Sequence, residues 1–265
     1  MNMKSDKLTE TERRYVEGWE RFLGITSKAS PKAIREMMRR TAYHEAGHIA
    51  AHMFVGSEPT HVELVTILSD GASAGFARII NYGMIYLETP LEPMKRVNGR
   101  RLLLGILAGR GAEALVTVPE KRTDILDEDS EEWEKEGTDL FDAKRVADMM
   151  ARPGMSATRV LAQAEKWTIE MLALPDVRKC IEELANRLLE HGTIDDLDEI
   201  MDACAGIFNA WEKLPKWRRR LAITEKDFKL MKQILGRIAE NYASRGPYDD
   251  AAEATRSRNA SSSPP

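Results

Sequence analysis

Cysteine is nearly absent. Cys180 and Cys204 are its only occurrences, too few for a disulfide framework and too far from the histidines in sequence to form a zinc finger. That excludes a small disulfide-stapled scaffold and suits a reducing compartment, so a cytoplasmic protein is expected. Long apolar runs are missing as well. The longest, LLLGILAG from Leu102 to Gly109, falls far short of the roughly 20 residues a membrane helix needs, and the opening MNMKSDKLTETERRYVEGW has no apolar stretch of signal-peptide type. No membrane span is expected. Charge of one sign is not in excess: a net charge of −4 gives no global reason to bind nucleic acid or an anionic membrane. The short basic run KWRRR, Lys216 to Arg220, and the basic face of Arg35, Arg39 and Arg40 read as solvated charge, and no nucleic-acid partner is expected. The phosphate-binding pattern G-x-x-x-x-G-K-[ST] does not occur.

What is present is mostly helical periodicity. Leu8, Tyr15, Val16, Trp19, Phe22 and Leu23 recur at helical spacing, which predicts an amphipathic helix packed on the main domain. Ser30 as N-cap and Pro31 at the first helical position open a long helix that Gly56 would stop. HVELVTI and AGFARII, joined by the turn-rich LSDGAS, read as a hairpin, with MIYLE as a third strand. Beyond Pro93 the chain reads as helices over 96–116, 139–150, 157–172, 176–190, 194–211 and 225–242. The expected fold class is therefore mainly α with a small β-hairpin or three-stranded sheet. Residues 1–28 form an N-terminal helical extension to a domain over 29–243, and the polar tail 244–265 is expected to be disordered. An acidic insertion over 120–137 carries nine acids and three bases between Glu120 and Glu136, and reads as a solvated loop or flap.

The chemistry concentrates in TAYHEAGH, Thr41 to His48. At about 100° and 1.5 Å per residue, His44, Glu45 and His48 share one sector of the helix. Histidines four apart have Cβ atoms roughly 5–6 Å apart, so both rings can reach one ion. Glu45 then stands beside the metal as general base toward an activated water. Ala46, Gly47, Ala50, Met53 and Phe54 project from the opposite side as an apolar back. A mid-helix glycine costs about 1 kcal/mol relative to alanine, so Gly47 marks close approach by another backbone. A catalytic zinc keeps three protein ligands, and the candidates for the third are His52, His61 and Asp139. His52 lies about 12 Å along the axis from His44, awkward for a shared ion, and reads as a supporting or packing residue.

SPKAIREMMRRTAYHEAGH resembles the entry to the peptidase domain of the FtsH family, the membrane-anchored AAA zinc proteases. VTILSDGASAGFAR, LLLGILAGRGAEALV, GTDLFDAKRVADMMARPGMS and LANRLLEHGTIDDLDEI resemble successive segments of that domain, in the family's order, over about Ser30 to Ile200. The resemblance implies a zincin-like metallopeptidase helical domain in which His44, His48 and Asp139 hold Zn2+ and Glu45 is catalytic. The chain departs from the family pattern at Thr138, where asparagine is usual, and in the acidic insertion. The family's ATPase motif and membrane anchor are absent from this sequence.

Together these readings predict a zinc-dependent metalloendopeptidase acting on unfolded or flexible polypeptide. The substrate would lie extended against the strand near Ala74 to Arg78, touching Gly75 and Phe76, through main-chain hydrogen bonds. Folded substrates would need a separate ATPase, and self-association is a further partner reading. The alternative is a catalytically silent FtsH-like module that binds a protein partner.

Overall fold

Hydroxyl side chains open four of the described helices. Ser30, Thr138 and Ser156 each accept a hydrogen bond from the backbone N–H of the third residue on, Ala33 at 3.3 Å, Phe141 at 3.4 Å and Arg159 at 3.3 Å, which satisfies donors the helix leaves unpaired. Thr9 and Glu12 cap reciprocally: Thr9 N donates to Glu12 Oε2 at 2.7 Å and Glu12 N donates to Thr9 Oγ1 at 3.2 Å. The computed structural model describes residues 7–23, 29–55, 62–69, 75–79, 92–117, 125–126 and 130–209. Among these, seven α-helices and three strands follow in the order α1 (Glu10–Leu23), α2 (Pro31–Phe54), β1 (Val62–Thr66), β2 (Phe76–Ile79), α3 (Glu92–Thr117), a 3-10 turn (Glu131–Trp133), α4 (Asp139–Met150), α5 (Ala157–Leu172), α6 (Pro175–His191), β3 (Thr193–Ile194) and α7 (Leu197–Asn209). The architecture is mainly helical with a small antiparallel sheet. No described helix is long and apolar enough to cross a membrane.

The chain divides into two units, Met1–Leu221 and Ala222–Pro265, and all described residues belong to the first. MIYLE, His61, Gly56, the run KWRRR, the helix expected over 225–242 and the tail over 244–265 lie outside the described residues.

The strands are ordered β2-β1-β3. Val65 stands opposite Ala77 on one side and Ile194 on the other. The third described strand thus comes from Thr193 and Ile194, where the sequence periodicity predicts a helix starting at Ile194. Gly192 ends α6 in the left-handed region at φ 80°, its carbonyl accepts from Ile67 N at 2.9 Å, and Thr193 Oγ1 meets Thr66 Oγ1 at 2.7 Å. Two β-branched residues extended by that turn are captured by β1, and α7 starts only at Leu197, after Asp196 Oδ1 accepts from Asp198 N at 2.9 Å.

The apolar back expected of α2 is core: Ala46, Ala50, Met53 and Phe54 are essentially inaccessible. They join Tyr15 of α1, Leu104 and Ala108 of α3, Trp167 of α5 and the inner face of α6 in one cluster. Leu103 and Leu107, on another side of α3, join Ile125, Leu140, Val146 and Val160 in a second. Helix α3 is therefore a wall between two cores, one containing α2 and the other α4. Helix α1 docks on α2 through Glu12–Arg35, at 2.6 Å, and Tyr15 Oη–Thr41 Oγ1, at 3.1 Å. The acidic insertion is not simply a solvated loop: Ile125 is 2% exposed within the second cluster.

Candidate metal centre

Close approach of two helices builds the site. A Cβ added at Gly47 would stand 2.5 Å from the carbonyl oxygen of Ala108 and 2.7 Å from Ala112 Cβ, so only glycine lets α2 and α3 come so near. This is the backbone contact expected at Gly47. With the helices antiparallel, Gly105, Gly109 and Glu113 of α3, spaced four apart on one face, stand against His48 and His44. His48 Nδ1 lies 2.8 Å from Gly105 O. His44 Nδ1 lies 3.4 Å from Glu113 Oε2, and Glu113 in turn accepts from Arg40 Nε at 2.8 Å. Both rings therefore have their Nδ1 engaged and their Nε2 turned to the same place. At Gly109 a Cβ would sit 2.5 Å from His48 Nε2 and 2.9 Å from His44 Nε2, so this glycine keeps the space between the nitrogens clear.

Asp139 enters from the other core. Gly137, at φ 84°, turns the chain into the Thr138 cap, and Asp139 is the first residue of α4. Its Oδ2 lies 3.2 Å from His44 Nε2 and 3.5 Å from His48 Nε2, and is buried without a hydrogen-bond partner. The three ligand atoms lie within 4.8 Å of one another and could hold a metal ion. Tetrahedral bonds of about 2.0–2.1 Å place neighbouring donors roughly 3.3–3.5 Å apart, close to the two nitrogen–oxygen separations here. His52, one turn beyond His48, is not in the group. Asp142 pairs with Arg145 at 3.7 Å and leaves the cap to Thr138.

The electrostatics are those of a charge cluster. Burial alone would depress His44, but the carboxylates of Asp139 and Glu113 hold it well above the ordinary histidine range. Burial would raise Asp139, yet His48, His44 and Arg110 bring it below the usual carboxylate range. Glu113 is likewise lowered, burial being outweighed by His44 and Arg40. Glu45, 5% exposed, goes the other way. Burial dominates and raises it, opposed by His44, His48 and a hydrogen bond from the backbone of Ala77.

That contact places β2 beside Glu45. Gly75, just before the strand, lies against α2: a Cβ there would come within 2.8 Å of Thr41 Cγ2 and 2.9 Å of Thr66 O. Phe76, paired with Thr66, carries the Arg78 guanidinium 5.5 Å from its ring centre. The four residues His44, Glu45, His48 and Asp139 are thus brought together, whereas Gly75 and Phe76 stand at the adjoining strand. Sequence reasoning missed Gly105, Gly109 and Glu113, whose four-residue spacing in LLLGILAGRGAEALV was the available signal. Comparison of the chain with protein-family models gave no match, and comparison with curated proteins gave none.

Proposed function

We propose that this protein is a zinc metalloendopeptidase with a zincin-like, FtsH-type catalytic domain, hydrolysing peptide bonds in unfolded or flexible polypeptides. The observation that carries the reading is the convergence of Asp139 Oδ2 on the Nε2 atoms of His44 and His48 at 3.2 and 3.5 Å, from a helix about ninety residues further along the chain. The donor set fits zinc: two imidazoles oriented from behind by a carbonyl and a carboxylate, and a buried carboxylate oxygen without a hydrogen bond.

Zinc, when bound, supplies a Lewis acid that polarises the scissile carbonyl and makes water a stronger acid. Glu45 takes the proton of the attacking water. Its burial raises the carboxyl above the usual glutamate range, the direction that makes it a better proton acceptor. As the C–N bond breaks, the same carboxyl returns that proton to the leaving amine nitrogen. Strand β2 is held beside Glu45 through Ala77, and β1 pairs with its other side. A substrate extended along β2 near Gly75 and Phe76 would present its backbone to the base, which favours flexible chains over folded ones.

The test is Glu45→Gln. Loss of casein-type hydrolysis with one equivalent of zinc retained supports the assignment; unaltered cleavage by that variant overturns it. A protein that binds zinc but leaves every unfolded polypeptide intact would favour the silent interaction module instead.

A further inference from the structure

A single arginine on α3 ties the segment leading to Asp139 back to the turn that cradles the histidine rings. Arg110 follows Gly109, the residue whose missing Cβ leaves room for both Nε2 atoms. Its Nε donates to the carbonyl of Ile125 at 3.2 Å, and its Nη1 is paired with the carboxylate of Glu132. Ile125 is buried, and the next backbone N–H, of Leu126, is held by Glu165 at 3.1 Å. The carbonyl of Glu132 accepts a hydrogen bond from Thr138 Oγ1 at 2.6 Å, and Thr138 is the cap from which Asp139 projects. Between these anchors lies Gly137 in the left-handed region, a residue that by itself leaves the direction of the following helix weakly specified.

We propose that the Arg110–Glu132 pair is a positioning clamp for Asp139, an added function for the acidic insertion that rests on the metal-centre reading above. Without the clamp, the 3-10 turn over 131–133 loses its tie to α3, and the bond from Thr138 Oγ1 to the Glu132 carbonyl no longer fixes the first turn of α4, from which the Asp139 carboxylate reaches the histidine nitrogens. An insertion rich in like charge would otherwise be expelled toward solvent. One buried apolar side chain and one arginine reverse that at the end nearest the site. Glu132 acts through Thr138 and Asp139 and touches no ligand itself.

Co2+ titration of the full chain tests this, because its visible absorption intensity falls when a lost protein ligand lets waters raise the coordination number above four. Glu132→Ala is expected to bind Co2+ about 10-fold more weakly than wild type, within the range seen when groups behind metal ligands are removed, with weaker visible bands. Its metal-free thermal midpoint should fall only slightly, since the Glu132 side chain is half exposed. Glu132→Gln keeps an acceptor for Arg110 and should lose less. Glu131→Ala removes an equal charge one residue away and should leave affinity and spectrum as in wild type. The clamp is overturned if Glu132→Ala keeps wild-type affinity and bands, if Glu131→Ala matches it, or if affinity falls only together with a large drop in the metal-free midpoint. A wild-type protein that takes up no Co2+ overturns the metal centre itself, and the clamp with it.

Discussion

His48 Nδ1 lies 2.8 Å from the carbonyl oxygen of Gly105. A carbonyl only accepts, so Nδ1 carries a proton, and Nε2 faces Asp139, 3.5 Å away, where a neutral imidazole would present its lone pair to a metal. What keeps that lone pair accessible is the missing side chain at Gly109. Gly109→Ala should improve helix propensity by about 1 kcal/mol yet cost zinc affinity at least about 10-fold, because its Cβ would sit 2.5 Å from His48 Nε2. Competition with a chromophoric chelator measures the affinity, and urea unfolding of the metal-free protein measures the stability. Wild-type affinity in this variant would mean that the space between the nitrogens is not where the ion sits.

Glu113→Gln separates orientation from proton competition. Glu113 stands behind His44, and losing it should weaken zinc binding by about 10–100-fold at alkaline pH, where His44 is neutral in both proteins. As pH falls the gap should narrow. Burial lowers His44, but Asp139 and Glu113 together hold it well above the ordinary range, so wild type must expel a tightly held proton to bind metal. Without Glu113 that proton is held less tightly. The stranded Arg40 is half exposed, so the stability cost should stay under about 1 kcal/mol. Zinc affinity against pH, with the imidazole signals of His44 followed by NMR in the metal-free protein, checks both halves.

The first half of the site was legible because its information is local. Ser30, Pro31 and the HEAGH spacing fix a helix and the face its histidines share without reference to the rest of the chain. The start of α4 was legible for the same reason, since its helical pattern over 139–150 is local and matches the helix found there. The approach of Asp139 to the two histidines was not, since nothing within its own turn says which residues lie across from it, and only the resemblance selected it over His52 and His61. Strand β3 failed on the same ground. Two residues carry no period, and Thr193 and Ile194 are extended because Gly192 and β1 hold them so. Glu113 lay in plain sight as one acid on an apolar helix, and its role appears only when α2 is laid against α3.

The docking of α1 should be acid-sensitive. Burial works against the Glu12 carboxylate, but Arg35 and the amide of Thr9 outweigh it and hold the group below the ordinary glutamate range. A carboxyl depressed in the folded state stabilises fully above its unfolded value, and the contribution is lost as pH falls through that value to the native one. Glu12→Gln should therefore be about 1–2 kcal/mol less stable than wild type near neutral pH, and the difference should vanish once the pH has fallen below the depressed native value of Glu12. Urea midpoints for the two proteins between neutral and acidic pH measure it. A constant difference across that range would mean that the charge is not what ties α1 to Arg35.

Two glycines on the same helix pair should respond to alanine with opposite signs. At Gly47 the new Cβ meets the Ala108 carbonyl oxygen at 2.5 Å, a backbone atom that cannot swing aside. Overpacking of about 1–3 kcal/mol then exceeds the roughly 1 kcal/mol gained in helix propensity. Gly47→Ala should unfold at lower urea concentration. It should also bind zinc more weakly, because parting α2 from α3 draws His44 from Glu113 and His48 from the Gly105 carbonyl. At Gly105 a Cβ meets nothing within 4 Å, and the bond to His48 uses only the backbone oxygen. Gly105→Ala should thus gain up to about 1 kcal/mol with zinc affinity intact. If both variants moved the same way, local helix propensity rather than the α2–α3 contact would govern this interface, and the close approach would not be what aims the rings.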